Sequence, residues 1–275
     1  SAPTGSGSLV SIVSNATFPS SDNDSLITPN NVHGFGWMKN GFSFSDAQTT
    51  CTFNSVFPVA GPIDLKGGLL YLTSDLIFTN PTTLASAGIF YANNHTVDFA
   101  SSITYLPRAI NTVFHNANVY FSNDTIISGT LKFCGSCTLD GKKNNITLGS
   151  TGAIIVDSGS NLAIKNLELD GLKNRKLLCL DNSATLLFDN VRLVQSDNYS
   201  FTNGSITFLN DVVCSSSHTF KYDSSLSSTI KADSCWEFTD LGTLEIGRKT
   251  GYYGQEPLYF EDASSMVKMN NSTLA

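Results

Sequence analysis

The residues of this chain that could do chemistry are pairs of carboxylates, a few histidines and one close pair of cysteines. Asp157 and Asp181 hold equivalent places in two stretches that align with each other, so a repeat fold would stack them. Two carboxylates about 5 to 9.5 Å apart are what a glycoside hydrolase needs as its acid and its base or nucleophile. Both aspartates sit among Ser, Gly and Asn, however, where an aspartate ordinarily shapes a turn. Lys165 and Asp189 fall side by side in the same alignment. A polysaccharide lyase would want such a base beside a calcium-binding carboxylate cluster, but opposite charges at outward strand positions read as a solvated face. The four histidines, His33, His95, His115 and His218, share no metal-binding spacing such as HxxxH, and each reads as a structural side chain. Cys134-Gly135-Ser136-Cys137 is a CxxC. Zinc would need a second pair of ligands at matching spacing, and redox chemistry of the CxxC type would need a helix after the first cysteine. Thr138-Leu139-Asp140-Gly141 reads as strand and turn instead, which leaves a local or inter-coil disulfide. No catalytic, cofactor or metal set emerges, and no enzymatic activity is expected.

The elements that must position any site follow from composition. In 275 residues only 14% are charged, while Ser, Thr, Asn and Gly abound. Surface helices rely on Glu, Lys, Arg and Ala, whereas strands and tight turns use what is plentiful here. The net charge is −7 and only four arginines are present, so no basic stripe exists to displace counterions from nucleic acid or to meet an acidic membrane surface. No apolar run approaches the roughly 18 residues of a transmembrane helix. The small residues Ser1-Ala2-Pro3-Thr4-Gly5 look like the product of signal-peptide cleavage, which points to an extracellular or cell-surface location. In that setting the six cysteines (Cys51, Cys134, Cys137, Cys179, Cys214, Cys235) suit disulfides. Asn15, Asn23, Asn94, Asn123, Asn145, Asn198, Asn203, Asn270 and Asn271 each begin an Asn-x-Ser/Thr sequon and are glycosylation candidates. Arg248 and Lys249, with Tyr252 and Tyr253, form a basic, aromatic, Gly-rich insertion that could meet a sugar or a neighbouring subunit, or serve as a plain surface loop.

Self-comparison is the most informative reading. Asp157 to Leu169 aligns without gaps with Asp181 to Leu193, placing Ile164 on Phe188 and Asn166 on Asn190. Ile206 to Val213 continues the series and brings Asn210 under Asn190. Asp262 to Leu274 aligns with 181–193 once more, with Asn271 at the Asn190 position. Upstream, Leu70 to Phe78 echoes Val119 to Ile127, and Asn93 to Phe99 echoes Asn144 to Leu148, at roughly two such periods. Within each copy the apolar residues alternate, as half-buried strands require, and the Asn interrupts the alternation at a bend. Strand, Asn bend, strand and Gly/Ser/Asp turn, repeated every 20 to 25 residues, describe a solenoid coil rather than a propeller blade or a sandwich. The expected fold is all-β, a right-handed parallel β-helix over 61–275, with a non-repetitive N-terminal arm or cap over 1–60. Asn166, Asn190 and Asn210 would form a structural ladder. Cys214 and Cys235, one period apart, would sit on adjacent rungs about 5 Å apart and form a disulfide.

On these repeats the chain resembles right-handed parallel β-helix proteins, the architecture of pectate lyases, autotransporter passengers and bacterial surface proteins, over about three quarters of its length. The resemblance is one of coil pattern and implies fold alone. Asn-x-Asp, Asp-Asp, Gly-His-Gly and Arg-x-Lys, which polygalacturonase-like hydrolases present on one face, do not occur here.

A stacked coil leaves unpaired backbone groups at its two ends, and natural solenoids cap them. The last repeat carries no visible capping residues, which suggests that another subunit holds an end or the arm. The expected function is a structural subunit of a self-assembling extracellular filament or surface layer, with head-to-tail contacts between copies. A cell-surface carbohydrate- or host-binding module is the second expectation, with glycans as partners. A polysaccharide lyase or hydrolase is the third.

Overall fold

The computed structural model describes residues 10–12, 16–18, 42–44, 50–53, 61–78, 81–84, 86–105, 111–247 and 256–275. The chain is a parallel β-solenoid of about eight turns, with no helix among the described residues. Strands come in threes, one for each side of a triangular coil. The first face takes Leu69–Leu72, Gly88–Tyr91, Asn111–His115, Thr130–Cys134, Ala153–Val156 and Leu177–Cys179. The second takes Leu76–Phe78, Thr96–Phe99 and Asn118–Phe121, each lying directly under the next. The third takes Gly61–Asp64, Thr82–Leu84 and Ile103–Tyr105. From residue 136 onward the second and third faces share long strands, Ser136–Leu148, Asn161–Leu172, Thr185–Gln195 and Ser205–Ser215, each bent at the corner between them by residues of positive φ, Lys142 and Lys143, Asn166, Asn190 and Asn210.

Alternation explains why these segments are strands. In Asn161–Leu172 the residues Leu162, Ile164, Leu167 and Leu169 are buried, and those between them face outward. Parallel register then sets each apolar residue on its equivalent. One column runs Leu76, Val97, Val119, Leu139, Ile164, Phe188, Phe208, Ile230, every member at most 1% exposed. Phe78, Phe99 and Phe121 stack with ring centroids 5.0 and 5.2 Å apart, and Phe90, Phe114 and Phe133 at 5.2 and 5.6 Å. Each such side chain contributes about 1.5 to 3 kcal/mol by leaving water, so cohesion runs lengthwise through the columns.

The expected Asn corner is present. Asn166, Asn190 and Asn210 bend the chain with φ of 50°, 55° and 58°. Asp233, with φ 55°, stands at the turn before the next rung, where Ser234 accepts the Asn210 amide hydrogen. The side-chain ladder is thinner than expected. Asn190 Nδ2 donates to Asn166 Oδ1 at 3.5 Å, while Asn210 Nδ2 donates to Asp189 at 2.6 Å and Asn166 Nδ2 to Asp140 at 3.2 Å. Backbone conformation, more than amide-to-amide bonding, is what asparagine supplies here.

Two alignments need correction. Met266–Met269 does not fall in the column of Thr185; it pairs with Cys235–Thr239 on the third face, through Val267 on Trp236 and Met269 on Phe238. Asn271 (φ 51°) therefore turns a different corner from Asn190, next to the Asp240–Leu241 bend. Likewise Leu69–Leu72 lies on the first face and Asn118–Phe121 on the second, so the longer upstream echo relates neighbouring faces, not stacked residues. Within 1–60, four described strands join the stacked faces. Val10–Ile12 and Phe42–Phe44 extend the third face, and Ala16–Phe18 and Thr50–Phe53 extend the first. The remainder of 1–60 lies outside the described residues.

The first face is interrupted once. Its eight-stranded sheet ends at Leu177–Cys179, and a four-stranded sheet beginning at Tyr199–Phe201 continues below. Side chains bridge the break: the buried Tyr199 hydroxyl donates to Leu177 O at 2.9 Å, and Asn174 Oδ1 accepts from Ser200 N at 2.7 Å.

If the asparagines act through conformation, Asn190→Ala should cost about 1 to 2 kcal/mol, the penalty of a left-handed residue bearing a Cβ, and Asn190→Gly well under half of that. Urea denaturation of both variants checks this. Equal losses would instead credit the side-chain amide.

Candidate functional site

The cysteines come out differently from expectation. Cys214 and Cys235 are both free thiols. The rung between them spans more residues than the gap between the two cysteines, so Cys214 faces Phe238 while Cys235 faces Asp211. The expected disulfide between stacked equivalents is therefore corrected: the two are not equivalents. Cys214 points into the core, where its sulfur accepts the Trp236 indole hydrogen at 3.3 Å. The CxxC is not a disulfide either. Cys134 ends a first-face strand pointing outward, Gly135 turns with φ 72°, and Cys137 begins the next strand pointing into the core. Cys179 is likewise buried and free. Cys134 donates to Asp157 Oδ2 at 3.2 Å, and the same carboxylate meets Lys132 at 2.9 Å. Burial, followed by this bond and the carboxylate's charge, pushes the Cys134 thiol up to about 11, and burial pushes Cys179 and Cys214 up to about 12. Thiolates are scarce at neutral pH under such conditions.

Asp157 and Asp181 are not stacked. Val156 pairs with Cys179 but Asn161 pairs with Thr185, so the register slips by one residue across the turn. Asp157 serves Lys132 and Cys134, while Asp181 accepts from Ser183. Lys165 does meet Asp189, at 3.7 Å. His95 lies 3.6 Å from Asp75 and His115 stacks on Tyr91; His33 lies outside the described residues. Among the sequons, Asn94, Asn123, Asn198, Asn270 and Asn271 are exposed at corners. Asn145 lies on a strand with its Oδ1 buried, and Asn203 is half-buried with its amide toward Cys179 O. Asn15, Asn23, Arg248, Lys249, Tyr252 and Tyr253 lie outside the described residues, as does the side chain of Cys51. No helix among the described residues is long and apolar enough to cross a membrane.

Two surfaces depart from an ordinary polar wall. The outward side of the eight-stranded sheet carries an aliphatic column, Leu69, Ile89, Val113, Ile155 and Leu178, interrupted only by Lys132. Beside it runs an aromatic column in which Tyr71 stacks on Tyr91 at 5.1 Å and Tyr91 on His115 at 4.3 Å. All these side chains are half-buried. Below the break the same face turns polar, with Ser200, Lys221 and Glu245 in line. The second face carries Asp98, Tyr120, Asp140, Lys165 and Asp189 in one column, with Lys142 reaching across Tyr120 to Asp98 at 3.0 Å. The third carries Glu168 and Arg192, and Arg192 also donates to Ser215, which donates in turn to Asp240.

The second surface is the rung of Leu258–Phe260, Met266–Met269 and Thr273–Leu274. Phe260 prolongs the core column below Ile230, and Leu274 that below Leu244, yet they are 44% and 63% exposed. Val267 and Met269, beneath Trp236 and Phe238, are also only partly covered.

No protein-family model, characterised protein or solved structure matches the chain.

Non-reducing peptide mapping should find Cys214 and Cys235 both unpaired. Alkylation of Cys134 in the native protein should keep accelerating with pH past 9, and Asp157→Asn should speed it at fixed pH by removing a bond and a charge that hold the thiol protonated. A disulfide in the map, or a rate insensitive to Asp157, would contradict this environment. The bond to Lys132 holds Asp157 below the ordinary 3.8, and the bond to Ser215 does the same for Asp240. A depressed carboxyl stabilises the fold fully above its ordinary value and loses that contribution as pH falls through the folded-state value. Urea midpoints should therefore hold steady from about pH 6 to 4 and drop below that. Asp240→Asn should soften the acid drop.

Proposed function

We propose that the protein is an extracellular structural element that assembles with copies of itself head to tail. The observation that carries this reading is the in-register parallel stacking, in which every rung, that of Phe260 and Leu274 included, presents apolar residues and strand edges that a further rung can cover. Such a rung gains by accepting another parallel rung, which would pair its strand edges and cover its apolar residues. A copy of the chain can supply one, because every described pairing is parallel and the two ends of a face therefore offer complementary edges. A contact of this kind does not close on itself and gives a filament. Few charges and many sequons support placement outside the cell, as a filament or a surface layer.

Negative-stain electron microscopy and light scattering of the 275-residue chain at near-physiological salt test this. Fibres are expected, and Phe260→Lys with Leu274→Lys should abolish them while leaving the melting transition in place. Monodisperse single particles at every concentration would overturn the reading.

A further inference from the structure

We infer that the outer side of the eight-stranded sheet is a lateral docking surface, and that its occupant is the same surface of a second copy. Outward residues on the other faces are mixed: on the second, Asp98, Asp140, Lys165 and Asp189 share one column with Ile77 and Leu209, and on the third, Glu168 and Arg192 neighbour Val194 and Val213. Here the strands read apolar on both sides, as in Leu69-Leu70-Tyr71-Leu72 and Ala153-Ile154-Ile155-Val156, the pattern of a sheet covered on both faces.

Charge identifies the occupant. The chain carries −7 overall, and the second face concentrates aspartates, so most approaches of two copies meet like charge. The aliphatic and aromatic columns contain one cation, Lys132, already matched by Asp157 at 2.9 Å. This face can lie against itself without unmatched charge, its Lys132 stem packing while the head keeps its carboxylate. Sheets that pack face to face sit about 10 Å apart with interdigitated side chains, and a two-fold axis lying between the two faces and parallel to them would achieve this for two copies.

Area sets the strength. Six strands at about 4.8 Å spacing, each some 13 Å long, give a footprint of roughly 350 Å² per copy. A stable complex typically uses about 800 Å² per partner, so a single pair associates weakly and reversibly. On a head-to-tail filament the same patch recurs at every subunit, and the weak contacts add along the length. The consequence for assembly therefore rests on the reading above, but the face-to-face contact does not.

The test separates them. In a chain carrying Phe260→Lys and Leu274→Lys, sedimentation at concentrations up to the millimolar range should show a reversible dimer. Val113→Lys and, independently, Ile155→Lys should weaken that dimer roughly tenfold or more, while Thr207→Lys on the second face should not. Circular dichroism confirms that each variant is folded. A blocked chain that stays monomeric throughout, or face variants that dimerise like their parent, overturns the lateral surface. Single, unpaired filaments from the unblocked chain would also overturn it while leaving head-to-tail assembly intact. A face-dependent dimer without any filaments would do the reverse.

Discussion

In-register stacking of one winding on the next is the constraint on which everything else in this molecule depends. Each position lies on a partner from the winding above and one from the winding below, so a residue is selected less for its own winding than for the column it enters. Columns of Leu, Ile, Val and Phe are satisfied by more of the same. Columns of charge need alternation, as in Asp140, Lys165 and Asp189. Corners need a backbone that tolerates left-handed angles, which asparagine and glycine provide. Exposed ion pairs such as Arg192 with Glu168 add at most about 1 kcal/mol each, so they specify register more than they stabilise.

The same constraint explains what could be read from the sequence. Solenoid class, the Asn166–Asn190–Asn210 corner and the Ile164–Phe188–Phe208 column are legible because stacked residues must resemble each other. Column identity was not always legible. Each of the three corners uses a similar bend, and each strand uses the same two-residue alternation, so a segment aligns nearly as well with the wrong face as with the right one. Met266–Met269 and the upstream echo both slipped in this way. The cysteine pairing failed for a related reason. Coil length varies from rung to rung, so a spacing of one average period between Cys214 and Cys235 does not place them in one column.

The candidate surfaces were the least legible part. Whether Leu69, Ile89, Val113 and Ile155 point outward depends on register against their neighbours, and nothing in the alternation of a doubly apolar strand says which side is the core. Cys134 and Asp157 are far apart in the chain and meet only because their windings are adjacent. Once they meet, burial and the carboxylate's bond and charge together hold the thiol protonated.

The break in the first face has a mechanical meaning. Pulled along its axis, the rod shares load among three hydrogen-bonded ladders wherever all three are continuous. At the level between Leu177–Cys179 and Tyr199–Phe201 one ladder is replaced by a single backbone bond, Asn174 N to Asn198 O, and side-chain links from Tyr199 and Asn174. The third face has a like gap between Ile103–Tyr105 and Thr125–Ile127, and at each of these levels axial load falls on the two ladders that stay paired.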